Sequence, residues 1–199
     1  LVILEAHLRD MTVHSSAGTQ KPGTYQGFVE TDQKGGISHL KDMGYNAIEF
    51  LPLQEFGNIE IDYKNSELST WNDWNPYEAN HWGYMTSFFF APEIYYGSDG
   101  VRDRGVWVGQ DGQAVNEMKE MVRALHKEGI SVILDVVYNH VSQYDENPFK
   151  LINKDYYFRL DEAGEYLSHS GCGNDFKTEN AMSRKMIIES LLHWMNEYH

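Results

Sequence analysis

The decapeptide SVILDVVYNH at 131–140 sets a carboxylate, an amide and an imidazole (Asp135, Asn139 and His140) behind an apolar, β-branched run. Val132, Ile133 and Leu134, continued by Val136 and Val137, read as a strand buried on both faces, as in a parallel sheet. Ligands of α/β proteins bind beyond the carboxyl ends of such strands, so polar groups delivered there are candidates for chemistry. The alternative for the same residues is a turn capped by Asp135, with His140 in a loop.

A second group is aromatic. Trp71, Trp74, Tyr77, Trp82, Tyr84, Phe88, Phe89, Phe90, Tyr95 and Tyr96 lie within 26 positions. Aromatic faces are flat apolar platforms with a polar rim, suited to the C–H faces of sugar rings. The triplet Phe88–Phe90 reads as core. Trp82 and Tyr84 flank Gly83, where backbone can approach a ligand, and they read as functional.

The remaining reactive residue types form no recognisable machine. Glu5, Glu49 and Asp135 are acids within strands, and Glu49, alternating with core residues, is expected to face a neighbouring strand or a barrel interior. Nine histidines include no H-E-x-x-H, and one cysteine cannot build a zinc site of the usual spacing. Cys172, between Gly171 and Gly173, reads as a small residue in a tight loop because no basic residue adjoins it in sequence. Asp145-Glu146-Asn147 reads as a solvated turn. Lys and Arg are scattered, which leaves no phosphate cradle.

These groups need a scaffold, and 199 residues are enough for one domain with a sizeable core. A net charge of −14 argues against nucleic acid or an anionic membrane as partner; a neutral substrate or a solvated acidic surface fits it equally well. No apolar run approaches the roughly 20 residues of a membrane span. The single cysteine cannot form an internal disulfide, so the chain does not depend on an oxidising compartment. With no visible signal peptide, a cytoplasmic location is slightly favoured. The opening residues LVILEAHL lie inside a strand pattern without an initiator Met, so the first residue is not expected to be the natural start.

Strand and helix signals alternate. Leu1–Leu4 is a strand with charged groups at its exit, and Gly18–Gly36 reads as a loop. Ile37, Leu40 and Met43 fall at helical spacing, with Gly44 as the residue that ends the helix. Tyr45–Leu53 is a second strand, stopped by Pro52. A long insertion covers 54–112, too long for an ordinary connection. A helix over 114–127 carries the stripe Met118, Met121, Val122 and Leu125, and Gly129 ends it. The central strand follows, then a second long insertion at 141–180. A last helix over 183–198 has Ile187, Leu191 and Met195 on one stripe, with Ile188 and Leu192 beside it, for packing on a sheet.

The order is β-α-β-α-β-α, with long excursions from strand carboxyl ends and short helix-to-strand returns, as in a (β/α)₈ TIM barrel. A doubly wound sheet shares the alternation, but no G-x-G-x-x-G follows the first strand. Three βα units are a partial barrel with an open edge, so the chain reads as the front portion of a larger domain. Alone, it is expected to unfold with poor cooperativity and to associate through that edge.

At this point the motifs resemble a family. DVVYNH at 135–140 resembles the first signature region of the α-amylase superfamily of glycoside hydrolases. HWGYMTSFFFAPE at 81–93 is similar to the preceding segment in the debranching branch, the isoamylases, pullulanases and glycogen-debranching enzymes. SGCGNDF at 170–176, followed by SRKMIIESLLHWMNEYH, is similar to the stretch before their second signature. The resemblance spans essentially the whole chain.

It implies that Tyr84 stacks on the sugar in the −1 subsite, that His140 hydrogen-bonds that sugar, and that Asp135 orients neighbouring catalytic groups. Trp82 and Asn139 join them as substrate-binding candidates. Asn139 also matches a calcium-binding position of many α-amylases; debranching relatives often lack that site, no convincing set of further ligands is visible, and no metal or other cofactor is assigned. The family's nucleophile and acid/base sit at the ends of the fourth and fifth strands, beyond His199, so no catalytic residue is named in this chain. The implied function of the intact protein is retaining cleavage of α-1,6 branch linkages in an α-glucan, which is its expected partner. The alternatives are α-1,4 action or glucan branching, and a non-catalytic α-glucan-binding fragment should the chain end at His199.

Overall fold

The computed structural model describes residues 1–57, 80–100, 111–143 and 147–199. Trp71, Trp74, Tyr77 and the pair Asp145-Glu146 lie outside them. The described strands are β1 (Ile3–Ala6), β2 (Ala47–Phe50), β3 (Gln54–Phe56), β4 (Thr86–Pro92) and β5 (Ser131–Leu134). The described α-helices are α1 (Tyr25–Phe28), α2 (Gly36–Met43), α3 (Gln113–Lys127), α4 (Pro148–Tyr157) and α5 (Ala181–Tyr198). The fold is mixed α/β.

β1, β2 and β5 form a three-stranded sheet in that order, and both pairings are parallel. Helices α2 and α3 supply the crossovers that parallel neighbours require. Gly44 ends α2 at φ 77°, its N–H bonding the Leu40 and Lys41 carbonyls, because a left-handed residue turns the chain back toward the sheet. Pleating then sorts the side chains. Ile48, Phe50, Leu4, Ala6, Val132 and Leu134 meet Leu40, Met118, Met121 and Leu125 in the main core. The opposite face carries Glu5 in register with Glu49, and Glu49 in register with Ile133.

Four expectations change here. First, β5 stops at Leu134, so Asp135–His140 lie past it; Val132–Leu134 are half-buried rather than buried on both faces. β5 has a strand neighbour on one side, whereas β2, flanked on both, holds fully buried Ile48 and Phe50. Second, the Gly18–Gly36 stretch contains α1, capped by the Thr24 side chain, and Tyr25 and Phe28 enter the core.

Third, the 54–112 stretch contains an antiparallel pair, β3 with β4. Phe88–Phe90 are therefore not all core: Phe89 is 3% exposed, while Phe88 and Phe90 are 51% and 43% exposed. Strand period two turns alternate residues to opposite faces. Fourth, α5 buries Ser183, Ser190, Trp194 and Tyr198 and turns Ile188, Leu191, Leu192 and Met195 outward. Ser190 Oγ (2.6 Å) and Trp194 Nε1 (2.8 Å) both donate to the Phe89 carbonyl, which fixes the helix rotation against β4. The sequence pattern set the Ile187, Leu191 and Met195 stripe against the sheet, and these hydrogen bonds turn the side carrying Ser190 and Trp194 inward instead.

A second core lies beside the first. Phe89, Val141, Phe158 and Phe176 pack together, and Tyr157 stacks on Phe176 with centroids 5.8 Å apart. It joins β4 to the segment that leaves β5.

Candidate functional site

Asp135 follows β5 directly, and its N–H continues the sheet ladder onto the Phe50 carbonyl at 3.0 Å. Two residues past Ile133, it belongs by alternation to the face of Glu5 and Glu49. Tyr84 arrives from the segment before β4 and donates its hydroxyl to Asp135 Oδ2 at 2.7 Å. Burial pushes the Tyr84 pKa well above the usual phenol range; the bond to Asp135 adds to this, as do the charges of Asp135, Glu5 and Glu49. The phenol therefore stays protonated and serves as a donor to an acidic face.

Gly83 sets the direction of Tyr84. It sits at φ 84°, and a Cβ there would lie 2.9 Å from the Phe56 ring and from the Pro52 carbonyl. The close approach that needs glycine is to Phe56 and Pro52. That packing, rather than room for a ligand, accounts for the residue. Trp82, on the other side of Gly83, is 63% exposed.

His140 is 4% exposed, with Nε2 2.8 Å from the Tyr84 carbonyl and Nδ1 2.8 Å from Asn139 Oδ1. Burial lowers its pKa, opposed by the bond to the Tyr84 carbonyl and the Asp175 charge. Two oxygen partners favour an imidazolium. Burial is the larger effect, and a neutral ring then requires the Asn139 amide to present its NH₂ group to Nδ1. The structure thus brings Tyr84, Asp135, Asn139 and His140 together. With both ring nitrogens engaged inside the protein, His140 holds the Tyr84 backbone in this arrangement.

The loop at 168–176 supports the same point. Asn174 pairs with the Val141 backbone like a peptide group, accepting at 3.0 Å and donating at 2.8 Å. Asp175 accepts the His169 backbone N–H at 3.0 and 3.1 Å and is paired with the His169 ring. Burial alone would raise the Asp175 pKa, but the His169 bonds outweigh it and hold the carboxyl below its usual range. A depressed carboxylate pKa contributes stability above the unfolded value of about 3.9 that is lost as pH falls through the folded value. Asp175→Asn should accordingly flatten the acid limb of a stability–pH profile below about pH 4 and lower stability at neutral pH. Equal acid limbs in the two proteins would exclude this role.

Sequence reasoning missed Gln54 and Tyr138. Gln54 Nε2 reaches the Phe89 carbonyl (3.1 Å) and the Tyr138 hydroxyl (3.2 Å), and that hydroxyl meets Ser190 Oγ at 2.9 Å. These bonds tie β3, β4, α5 and the exit of β5 together across 136 positions, and no local motif announces them. The described residues around Asn139 do not fit a calcium ion: its side-chain amide is engaged by the His140 ring, and no group of three His, Cys, Asp or Glu side chains converges there among the described residues.

No protein-family model matches the chain. It is 39% identical over 203 residues to the chloroplastic isoamylase SU1 of Zea mays, covering 100% of this chain and 23% of that protein. It is 34% identical over 204 residues to the pullulanase of Bacillus subtilis strain 168, covering 99% of this chain and 26% of that protein. The crystal structure of pullulanase type I from that strain, complexed with maltose, superposes with a TM-score of 0.78 at 34% identity, over 99% of this chain and 26% of that one. The chain thus spans about a quarter of the length of the relatives it matches. Similarity that runs end to end, in sequence and in backbone, means that this chain belongs to the debranching branch of the α-amylase superfamily.

Proposed function

We propose that these residues are the first three βα units of a (β/α)₈ barrel, with 54–112 and 141–180 as its long βα insertions. The protein carrying them is, in this reading, a retaining glycoside hydrolase that opens α-1,6 branch linkages in an α-glucan. The observation that carries the reading is the 2.7 Å bond from Tyr84 to Asp135 at the carboxyl end of a parallel strand, the end at which barrel chemistry is done. The Tyr84 ring serves as the platform for the sugar beside the scissile bond, oriented by Asp135 below and by His140 through its backbone. Trp82 and Asn139 extend the sugar-facing wall.

Retaining hydrolysis needs two carboxyl groups about 5–5.5 Å apart, one nucleophile and one acid/base. Both belong, in this reading, to the rest of the protein, and residues 1–199 contribute binding and orientation only. The intact protein should cleave pullulan, which contains α-1,6 linkages, and leave linear α-1,4 amylose largely uncut. Cleavage of amylose alone would replace this reading by α-1,4 action. Binding of both glucans without turnover would replace it by a non-catalytic role.

A further inference from the structure

His7, Asp10 and His81 converge where the chain leaves β1, and one ligand atom from each lies within 4.8 Å of the others. Among the described residues this is the one place where three such side chains do so. His7 is 6% exposed, and its Nε2 lies 2.7 Å from the His81 carbonyl and 2.9 Å from the Tyr96 hydroxyl. A carbonyl can only accept, so Nε2 carries the proton and Nδ1 carries the lone pair. That lone pair faces Asp10, with Oδ1 at 3.5 Å and the Asp10 N–H at 3.3 Å. The second carboxylate oxygen, Oδ2, lies 3.2 Å from Nε2 of His81.

We propose that His7 Nδ1, His81 Nε2 and the Asp10 carboxylate bind a divalent transition-metal ion of the Zn²⁺ class, with water completing a tetrahedral site. Two observations carry this. Ligands about 2.0–2.1 Å from a tetrahedral ion are separated by about 3.4 Å. Each imidazole nitrogen already lies near that distance from one oxygen of the Asp10 carboxylate, His7 Nδ1 from Oδ1 at 3.5 Å and His81 Nε2 from Oδ2 at 3.2 Å, so the half-exposed carboxylate turns to bring a single oxygen to both. The outer nitrogen of His7 is anchored on a backbone carbonyl, which orients metal-ligating imidazoles and fixes their tautomer.

The imidazole rings stack with centroids 4.4 Å apart and planes 18° apart, so one ion cannot lie in both ring planes as they stand. Binding turns the His81 ring, whose side chain is 27% exposed, and releases the Asp10 N–H from His7. The ion would clamp the exit of β1 to the segment carrying Trp82 and Tyr84. This site is independent of the proposed glucan chemistry, which uses none of its three ligands.

The test is titration of the chelator-treated full-length protein with Co²⁺, followed by visible absorption, with Zn²⁺ as competitor. The wild type should take up one equivalent with the absorption of a tetrahedral ion, and Zn²⁺ should displace it. Asp10→Asn and His81→Ala, on half-exposed or exposed positions, should each weaken that equivalent by about tenfold or more while circular dichroism stays unchanged. His7 is buried, so its replacement is not used. No uptake by the wild type, or identical uptake by wild type and both variants, would overturn the assignment.

Discussion

Replacing Tyr84 with alanine should lower kcat/KM of the intact protein on a branched glucan about a hundredfold or more, because the sugar loses its platform and Asp135 loses its donor. The two losses can be separated. Tyr84→Phe keeps the ring and removes only the hydroxyl that bonds Asp135 at 2.7 Å. A polar group left without its partner costs about 1–3 kcal/mol, or roughly 5- to 150-fold. Phenylalanine should therefore fall between the wild type and alanine, the gap between the two variants measuring the ring. Equal losses in the two variants would assign the effect to the hydroxyl alone and remove the platform. Full activity in both would take Tyr84 out of the site.

The largest stability effect is expected at Phe50. It is completely buried in the central strand β2 and meets Phe28 edge-on, with centroids 5.1 Å apart. Truncating a buried phenylalanine to alanine typically costs about 3–5 kcal/mol, because a cavity remains as well as lost transfer energy. Against a total of about 5–15 kcal/mol, that removes much of the stability. In the intact protein, where the sheet edge is covered in this reading, Phe50→Ala should lower the urea midpoint strongly at nearly constant slope. Phe88→Ala, at a position 51% exposed on β4, is the control and should stay within about 0.5 kcal/mol of wild type. A large loss at Phe88 would contradict the alternation of β4; a small one at Phe50 would displace β2 from the centre of the core.

Much of the scaffold was readable from local pattern. The β-branched runs, the stripe of α3 and Gly44 ending α2 are properties of neighbouring residues, and neighbours along the chain dictate them. Tyr84, Asp135, Asn139 and His140 were named as candidates from short segments, and those segments meet in space.

What only the tertiary structure decided was which side of each element faces inward, and which distant groups share a point. The apolar stripe of α5 pointed to the wrong rotation; bonds from Ser190 and Trp194 to one carbonyl on β4 set the actual one. Composition alone made Phe88–Phe90 look like core, and pairing with β3 imposed the alternation that exposes two of them. Gly83 was read as room for a ligand and proved to be room for Phe56. His7 and His81 stand 74 positions apart, and no sequence period links them. Periodicity along a chain records which residues prefer burial, while the partner that buries them is fixed only when remote segments pack.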